Sequence, residues 1–306
     1  MTASVAPVAL FVYRRPEHVR RVLEALRANP EASQTDLHVY SDGAKHPNVE
    51  DAVAEVRKTI RSVAGFRSVN VVERSQNLGL ARSITQGVGE LTRRFDSVIV
   101  LEDDLLPSPH FLAYMNAGLE RYANESRVVS VHAYCFPVRE SLPDTFFIRG
   151  ADCWGWGTWR RGWEVFDADG ARLLSQILER RLKHEFDLDG GYPFTRMLAD
   201  SVAGRNDSWA IRWYASAFLR GLLTLYPGVS QIQNIGADGS GTHDGVSDIY
   251  THARWGRPLQ VAAIPIEESA LARTAFSRFL RSTQPTLLDR VHTRVRRLVR
   301  SVGIGR

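Results

Sequence analysis

The residues with the clearest chemical potential are three consecutive acids in the stretch VIVLEDDLLPSP, residues 98–109. Glu102, Asp103 and Asp104 stand between an apolar, β-branched run and a second apolar pair. Adjacent carboxylates repel one another unless a cation neutralises them. Mg²⁺ and Mn²⁺ take one or two carboxylates and complete their shell with water and phosphate oxygens. The triplet therefore predicts a metal site, and a solvated acidic turn is the alternative interpretation.

The elements that must position these acids follow a recognisable pattern. Residues 98–101 are apolar on both faces, which is typical of a strand buried within a parallel sheet. Similar runs occupy residues 8–13, 37–40 and 69–72, and segments with helical periodicity begin at Pro16 and span 79–95. A further helix reaches about Tyr122, and a strand follows at 128–131. This alternation predicts an α/β fold with a parallel sheet of the nucleotide-binding type, in which ligands bind at the carboxyl ends of the strands. Neither a dinucleotide fingerprint nor a P-loop motif occurs.

A tryptophan-rich stretch forms the second chemical feature. The segment CWGWGTW, residues 153–159, is followed closely by Trp163. Interleaved glycines disfavour a regular helix here. Aromatic side chains of this kind can form a wall against the apolar face of a sugar ring, and a structural cluster under a loop is the alternative.

Composition limits the class of protein. The chain has 306 residues, of which 44% are hydrophobic and 24% charged. Cys135 and Cys153 do not form a disulfide framework or a zinc-ligand spacing, which favours a reducing, cytoplasmic location. No signal peptide or membrane-spanning apolar run is expected. We predict one compact domain over 1–265, with a nucleotide-binding half at 1–132 and an acceptor-side half at 133–265, followed by a basic helical extension at 266–306.

The net charge of +5 is concentrated near the C-terminus. Residues 287–306 combine apolar residues at helical spacing with several arginines. Such a helix can bind an anionic membrane surface, which would make the protein peripheral to the cytoplasmic membrane, or it can pack on the domain with a solvated basic face. Nucleic acid is not expected as a partner, because no recognisable binding module accompanies the arginines.

Taken in this order, the motifs resemble those of GT-A fold glycosyltransferases, and more narrowly those of the N-acetylglucosaminyltransferase I type, over roughly residues 8–245. In that family a Glu-Asp-Asp triplet ends a hydrophobic strand and precedes a Pro-Asp-Phe-like segment, matched here by PHF at 109–111. The resemblance implies a Rossmann-like, mostly parallel central sheet flanked by helices. It also implies that Asp104 binds Mn²⁺ or Mg²⁺, that Asp103 faces the ribose, and that Glu102 faces the transferred sugar.

Further positions carry over from the same resemblance. An arginine after the first strand contacts the nucleotide in the family, which points to Arg14. The Asp-Gly that ends the second strand supplies an acid to the uracil ring, which points to Asp42. A segment that opens the helix before the acids is matched by LAR at 80–82, which adds Arg82 to the nucleotide site. The family's Leu-Gly-Trp segment near the sugar corresponds to Trp154, Gly155 and Trp156.

The resemblance also implies a catalytic base. The family's Asp-Asp-Trp-Met-Arg segment, whose first Asp is the base, is matched by DSWAIR at 207–212, so Asp207 takes that role. Ser208 replaces the second Asp of the family motif. A helical pattern follows, so Asp207 could instead cap a helix. Asp152, beside the tryptophan stretch, is the second candidate for the base.

A glycine-rich polar segment, NIGADGSGTH at 234–243, lies farther along the chain. Backbone of this kind can approach a diphosphate closely. His243 could then contact a phosphate or complete the metal shell, and a surface turn is the alternative.

These features together predict an inverting, metal-dependent glycosyltransferase. The expected donor is a UDP-sugar carrying a hexose or N-acetylhexosamine. The expected acceptor is a glycan or lipid-linked molecule in bacterial surface polysaccharide or glycoconjugate synthesis. One alternative is a sugar nucleotidyltransferase, although residues 14–16, RRP, lack the glycines usual after the first strand of that class. The other is a catalytically silent protein that binds a nucleotide or a sugar.

Overall fold

A computed structural model describes residues 5–239, 249–251 and 255–284. The strands are β1 Val8–Val12, β2 Asp36–Ser41, β3 Ser68–Glu73, β4 Ser97–Glu102, β5 Leu105–Pro107, β6 Val128–His132, β7 Thr145–Arg149, β8 Trp156–Trp159, β9 Leu223–Pro227 and β10 Ile232–Asn234. The α-helices are α1 Pro16–Arg27, α2 Glu50–Arg61, α3 Leu80–Phe95, α4 Phe111–Arg121, α5 Arg160–Trp163, α6 Gly170–Glu179, α7 Lys183–Phe186, α8 Phe194–Val202, α9 Trp209–Leu219 and α10 Ala270–Thr283. Short 3₁₀ turns lie at Pro30–Gln34 and Pro47–Val49.

An eight-stranded sheet forms the centre of the fold, in the order β3-β2-β1-β4-β8-β6-β9-β7. The pairs β3/β2, β2/β1, β1/β4 and β6/β9 are parallel, whereas β8 is antiparallel to both of its neighbours and β7 is antiparallel to β9. Six strands therefore share one direction and end at one edge, which we call the carboxyl edge. The predicted α/β class with a mostly parallel, helix-flanked central sheet is confirmed.

The strands predicted from apolar runs match the structure closely. β1, β2, β3, β4 and β6 coincide with the predicted segments to within one residue at each end, and α3 and α4 lie where helical periodicity was expected. No strand was predicted in the tryptophan stretch, yet Trp156–Trp159 forms strand β8. Its four residues are all buried between β4 and β6, so neighbouring strands supply the hydrogen bonds that local sequence does not reveal.

Alternate residues of the central strands pack into two separate cores. On one face the sheet packs against the apolar faces of α1, α2 and α4. On the other face it packs against α3 and α9. Gly87 brings α3 close to the sheet, since a Cβ atom there would lie only 2.9 Å from Phe11 and 3.1 Å from Tyr40. Burial on both faces explains why β1 and residues 98–101 of β4 are apolar.

A small sheet and the last described helix complete the fold. β10 pairs antiparallel with β5, directly after the acid triplet, so the segment that follows β10 begins beside those acids. Helix α10 packs Phe276 against Phe146 of β7 and Tyr226 of β9. The described start of the predicted extension is thus packed on the sheet, whereas the basic stretch 287–306 lies outside the described residues. Among the described helices, none has the length and apolar character needed to cross a bilayer.

Two tryptophans two residues apart provide a test of this packing. Trp156 is 0% exposed and contacts Trp163, Trp209 and Trp213, whereas Trp154 is partly exposed. We expect Trp156→Ala to lower the free energy of unfolding by about 3–5 kcal/mol, because it leaves a large cavity in the core. Trp154→Ala is the matched control and should cost less than half as much. Denaturant titration measures both values, and equal losses would contradict the described packing.

Candidate active site

The carboxyl edge of the sheet gathers the residues that carry chemistry. Phe11 lies opposite Glu102 in the parallel pair of β1 and β4, and Val12 lies opposite Ser41 in the pair of β1 and β2. The segments that follow β1, β2 and β4 therefore leave the sheet side by side. Strand β8 begins at this same edge, because it runs against β4. The edge thus brings the acid triplet together with the arginines after β1 and with the first residues of the tryptophan stretch.

Arg15 holds two of the three acids. Its guanidinium donates to both Asp103 and Asp104, at 3.0 Å for the latter. The backbone amide of Tyr13 also donates to Asp103, at 3.3 Å. Burial raises the pKa of Asp103, and the nearby guanidinium of Arg15 opposes that effect. Burial would lower the pKa of Arg15, but the two carboxylates raise it overall, so the arginine stays charged.

The triplet carries more negative charge than one guanidinium can balance. Burial, followed by the carboxylates of Asp104 and Asp103, raises the pKa of Glu102 well above its usual range. This imbalance fits a divalent cation, which would bind to one or two of the carboxylates and to phosphate oxygens. Within the described ranges no group of three or more acidic, histidine or cysteine side chains could enclose a metal by itself.

The segment after β10 packs directly on Asp104. The amide of Ile235 donates to the backbone carbonyl of Asp104 at 2.8 Å. Gly236 packs tightly here, because a Cβ atom at this position would lie 2.3 Å from Oδ2 of Asp104. His18 on α1 contacts the same segment through Nε2, 3.2 Å from the Ile235 carbonyl and 3.3 Å from the carboxylate of Asp238. The glycine-rich segment thus begins against the acid triplet, and His243 lies outside the described residues.

The residues predicted to bind nucleotide occupy different environments. Asp42 is 6% exposed, and its carboxylate accepts hydrogen bonds from the amides of Gly43, Leu78 and Gly79. It therefore holds the loop that leads into α3. Arg14, after β1, and Arg82, in the first turn of α3, are both exposed. All three lie at the carboxyl edge, and their contacts with a nucleotide remain predictions.

The predicted sugar-binding residues divide into exposed and buried members. Trp154 is partly exposed and contacts Tyr134 and Tyr250 edge to face, with ring centroids 4.8 Å and 5.5 Å away. Trp156 is 0% exposed and its ring packs in the core against α9, so the prediction that this ring binds a sugar is wrong in this structure. Gly155 is also buried between them, and its carbonyl accepts from the amide of Ala133 at 2.7 Å.

Asp207 lies at the rim of the same edge. Helix α9 leads into the start of β9, so its first residues are at the carboxyl end of the sheet. The side chain of Asp207 is 77% exposed and pairs with Arg212 at 3.2 Å. Ser208 caps α9 by accepting from the amide of Ile211, so the alternative that Asp207 is the helix cap is wrong. The serine in place of the family's second acid therefore has a structural role.

Two functional candidates were missed by sequence reasoning. Arg15, rather than Arg14, contacts the acids, although the two arginines are adjacent in the sequence. His18 was not singled out at all, and its helical position among apolar residues of α1 carried no separate signal. The contacts of Arg15 and the position of His18 both depend on which elements the sheet places next to the acid triplet.

The sheet order and the acid triplet at the end of β4 define a GT-A type of α/β fold. The family model for glycosyl transferase family 2 matches residues 8–168, more than half of the chain, and the chain belongs to that family. No curated protein matches it.

The solved structures that are similar to this chain at low identity include the following two. Glucosyl-3-phosphoglycerate synthase from Mycobacterium tuberculosis, in complex with Mn²⁺, UDP and glucosyl-3-phosphoglycerate, is 12% identical, with a TM-score of 0.32; the match covers 53% of this chain and 58% of that one. The match therefore spans less than two thirds of that enzyme. Mannosyltransferase PcManGT from Pyrobaculum calidifontis, in complex with GDP-Man and Mn²⁺, is 14% identical, with a TM-score of 0.34; the match covers 72% and 73% of the two chains.

The two adjacent arginines offer a matched test of the charge balance. Arg15→Met leaves the buried Asp103 without its main cationic partner, and we expect a loss of about 3–5 kcal/mol in the free energy of unfolding. Arg14→Met is the control and should change it by less than about 0.5 kcal/mol, because the side chain is exposed. Denaturant titrations in EDTA give both values. Similar results for the two variants would contradict the assigned ion pairs.

Proposed function

We propose that the chain is an inverting, metal-dependent glycosyltransferase that moves a hexosyl or N-acetylhexosaminyl group from a UDP-sugar to a glycan or lipid-linked acceptor. The observation that carries the proposal is the acid triplet at the carboxyl end of β4, partly neutralised by Arg15 and packed against the glycine-rich segment. Family membership supports the reaction class. The UDP donor and the inverting course come from the resemblance to the N-acetylglucosaminyltransferase I type.

The acid triplet and Arg15 each have a role in this proposal. Asp104 would hold Mn²⁺ or Mg²⁺, Asp103 would face the ribose, and Glu102 would face the transferred sugar. A divalent ion bound there supplies Lewis-acid stabilisation of the charge that develops on the leaving diphosphate. Arg15 already contacts both aspartates, so it stands where it can add positive charge beside that leaving group.

In this proposal Asp207 is the catalytic base that activates the acceptor hydroxyl. Asp207 removes the proton from an acceptor hydroxyl while that oxygen forms a bond to the anomeric carbon. The bond from this carbon to the diphosphate oxygen breaks on the opposite face, so the configuration inverts and UDP leaves. The exposed position of Asp207 at the rim leaves its carboxylate accessible to an incoming acceptor.

A nucleotide panel tests the donor class and the metal ligand together. We expect UDP to stabilise the protein only when Mn²⁺ is present, by about 2.7 kcal/mol at 100 times its dissociation constant. Asp104→Asn should abolish the effect, and Asp51→Asn, an exposed acid on α2, should preserve it. Thermal shifts with UDP, GDP, CMP and dTDP provide the measurement.

If no nucleotide stabilises the wild-type protein, the metal–diphosphate proposal fails. Consumption of a nucleoside triphosphate with a sugar phosphate would instead indicate a nucleotidyltransferase.

The base is tested by Asp207→Asn. We expect this change to lower kcat by about 10²–10⁴-fold, the usual contribution of a positioned base, while UDP affinity stays unchanged. UDP release from the UDP-sugar, with water or an added acceptor, provides the rate. Asp200→Asn is the control, because Asp200 is a nearby acid of α8 that pairs with Arg205. An unchanged kcat in the Asp207 variant would remove this residue from the mechanism.

A further inference from the structure

Asp152 is a fixed carboxylate at the carboxyl edge, just before β8. Its Oδ2 accepts from the hydroxyl of Tyr226 at 3.1 Å, and its Oδ1 accepts from the amide of Cys153 at 2.8 Å. The side chain is still 31% exposed. An ionised carboxylate offers about four acceptor positions, so these two contacts leave others open to a ligand.

Two buried side chains, Tyr226 and His132, lie beneath Asp152 and Trp154 in the sheet. Tyr226, on β9, is 6% exposed and lies edge to face with His132, on β6, at a centroid distance of 4.7 Å. Burial lowers the pKa of His132, so the imidazole is neutral, and its Nε2 accepts from the amide of Trp154 at 3.1 Å. Tyr226 on β9 and His132 on β6 therefore hold Asp152 and Trp154 in fixed positions relative to each other.

The two supported residues differ in chemistry. Trp154 presents a partly exposed ring, backed by Tyr134 and Tyr250, and Asp152 presents hydrogen-bond acceptors two residues away. A pyranose ring combines an apolar face with hydroxyl donors at its rim. An aromatic surface beside a few fixed polar groups is the usual composition of a site that binds such a ligand.

This pair of residues also lies beside the acid triplet. Val100 pairs with Trp156 in the antiparallel register of β4 and β8, and continuing that register brings Glu102 next to Trp154. The pKa of the Cys153 thiol is raised first by burial, then by the charges of Asp152, Glu102 and Asp104. The register of β4 and β8 and the hydrogen bond from the Cys153 amide to Asp152 therefore bring Asp152 and Glu102 to the same end of β8.

We propose that Asp152 accepts hydrogen bonds from hydroxyl groups of the transferred sugar, and that Tyr226 and His132 are positioning residues for this contact. The inference rests on the proposed function, because it places the sugar of a UDP-sugar between the acid triplet and Asp152. It assigns to this carboxylate a role in donor recognition instead of the role of catalytic base, for which Asp152 was the second candidate.

The experiment compares the affinities of UDP and UDP-sugars for the full chain in the presence of Mn²⁺. Isothermal titration with UDP, UDP-glucose, UDP-galactose and UDP-N-acetylglucosamine identifies the sugar that wild type prefers. For that donor we expect Asp152→Ala to weaken binding roughly 10-fold to 100-fold, because the sugar hydroxyls and the Tyr226 hydroxyl lose their acceptor. Asp152→Asn should weaken binding less, because its amide oxygen can still accept a hydrogen bond. Tyr226→Phe should weaken it roughly 3-fold to 10-fold. The affinity for UDP itself should change less than about 2-fold in all three variants, since UDP lacks the sugar hydroxyls.

A control and three contrary outcomes make the test decisive. Asp144→Asn removes another acid at this edge, at the start of β7, and should leave both affinities unchanged. Equal losses of UDP and UDP-sugar affinity in the Asp152 variants would overturn the inference by showing a general structural defect. If the Asp152 variants keep the UDP-sugar affinity but lose most of the kcat for UDP release, the inference is overturned and Asp152 is instead the catalytic base. Wild-type protein that binds neither UDP nor any UDP-sugar would overturn the proposed function, and the inference with it.

Discussion

Three adjacent carboxylates at the end of a buried strand are the constraint on which the rest of the site depends. Their mutual repulsion is stronger near the protein interior than in water, since fewer dipoles screen it. Arg15 offsets part of this repulsion, and it can do so only because β1 lies next to β4 in the sheet. The amide of Tyr13 and the packing of Gly236 on Asp104 further restrict the acids. The excess negative charge is what makes the edge suitable for a divalent ion.

The fold near this constraint was predictable because its signals are local. β1 and β4 are buried on both faces, so each appears in the sequence as a short apolar run, and the acids mark where β4 ends. The pairing of Arg15 with Asp103 was not predictable in the same way. It joins residues 88 positions apart, and the choice between Arg14 and Arg15 depends on how the chain turns from β1 into α1. The contact of His18 with Ile235 spans 217 positions and depends on the same arrangement.

The tryptophan stretch shows a different limit of sequence reasoning. Its composition correctly indicated an aromatic cluster, but it did not indicate which rings face solvent. Once β8 is known, Trp156 faces α9 and stacks with Trp209, a residue more than fifty positions away. Trp154 precedes the strand, at the edge of the sheet, and remains partly exposed. Two positions at the start of β8 therefore separate a structural ring from one that can contact a ligand.

Two further acids at this edge, Asp152 and Asp207, have environments suited to different tasks. Asp152 is held by neutral donors, a tyrosine hydroxyl and a backbone amide, and rests on buried strands. Such rigidity favours recognition, because a fixed acceptor distinguishes between sugar hydroxyls of different orientation. Asp207 is 77% exposed, at the start of a helix, beside an arginine. A base must meet acceptors that arrive from solvent and must release its proton afterwards, so exposure favours that role. Under the proposed function, donor recognition falls to the more deeply anchored carboxylate, Asp152, and acceptor activation to the more exposed one, Asp207.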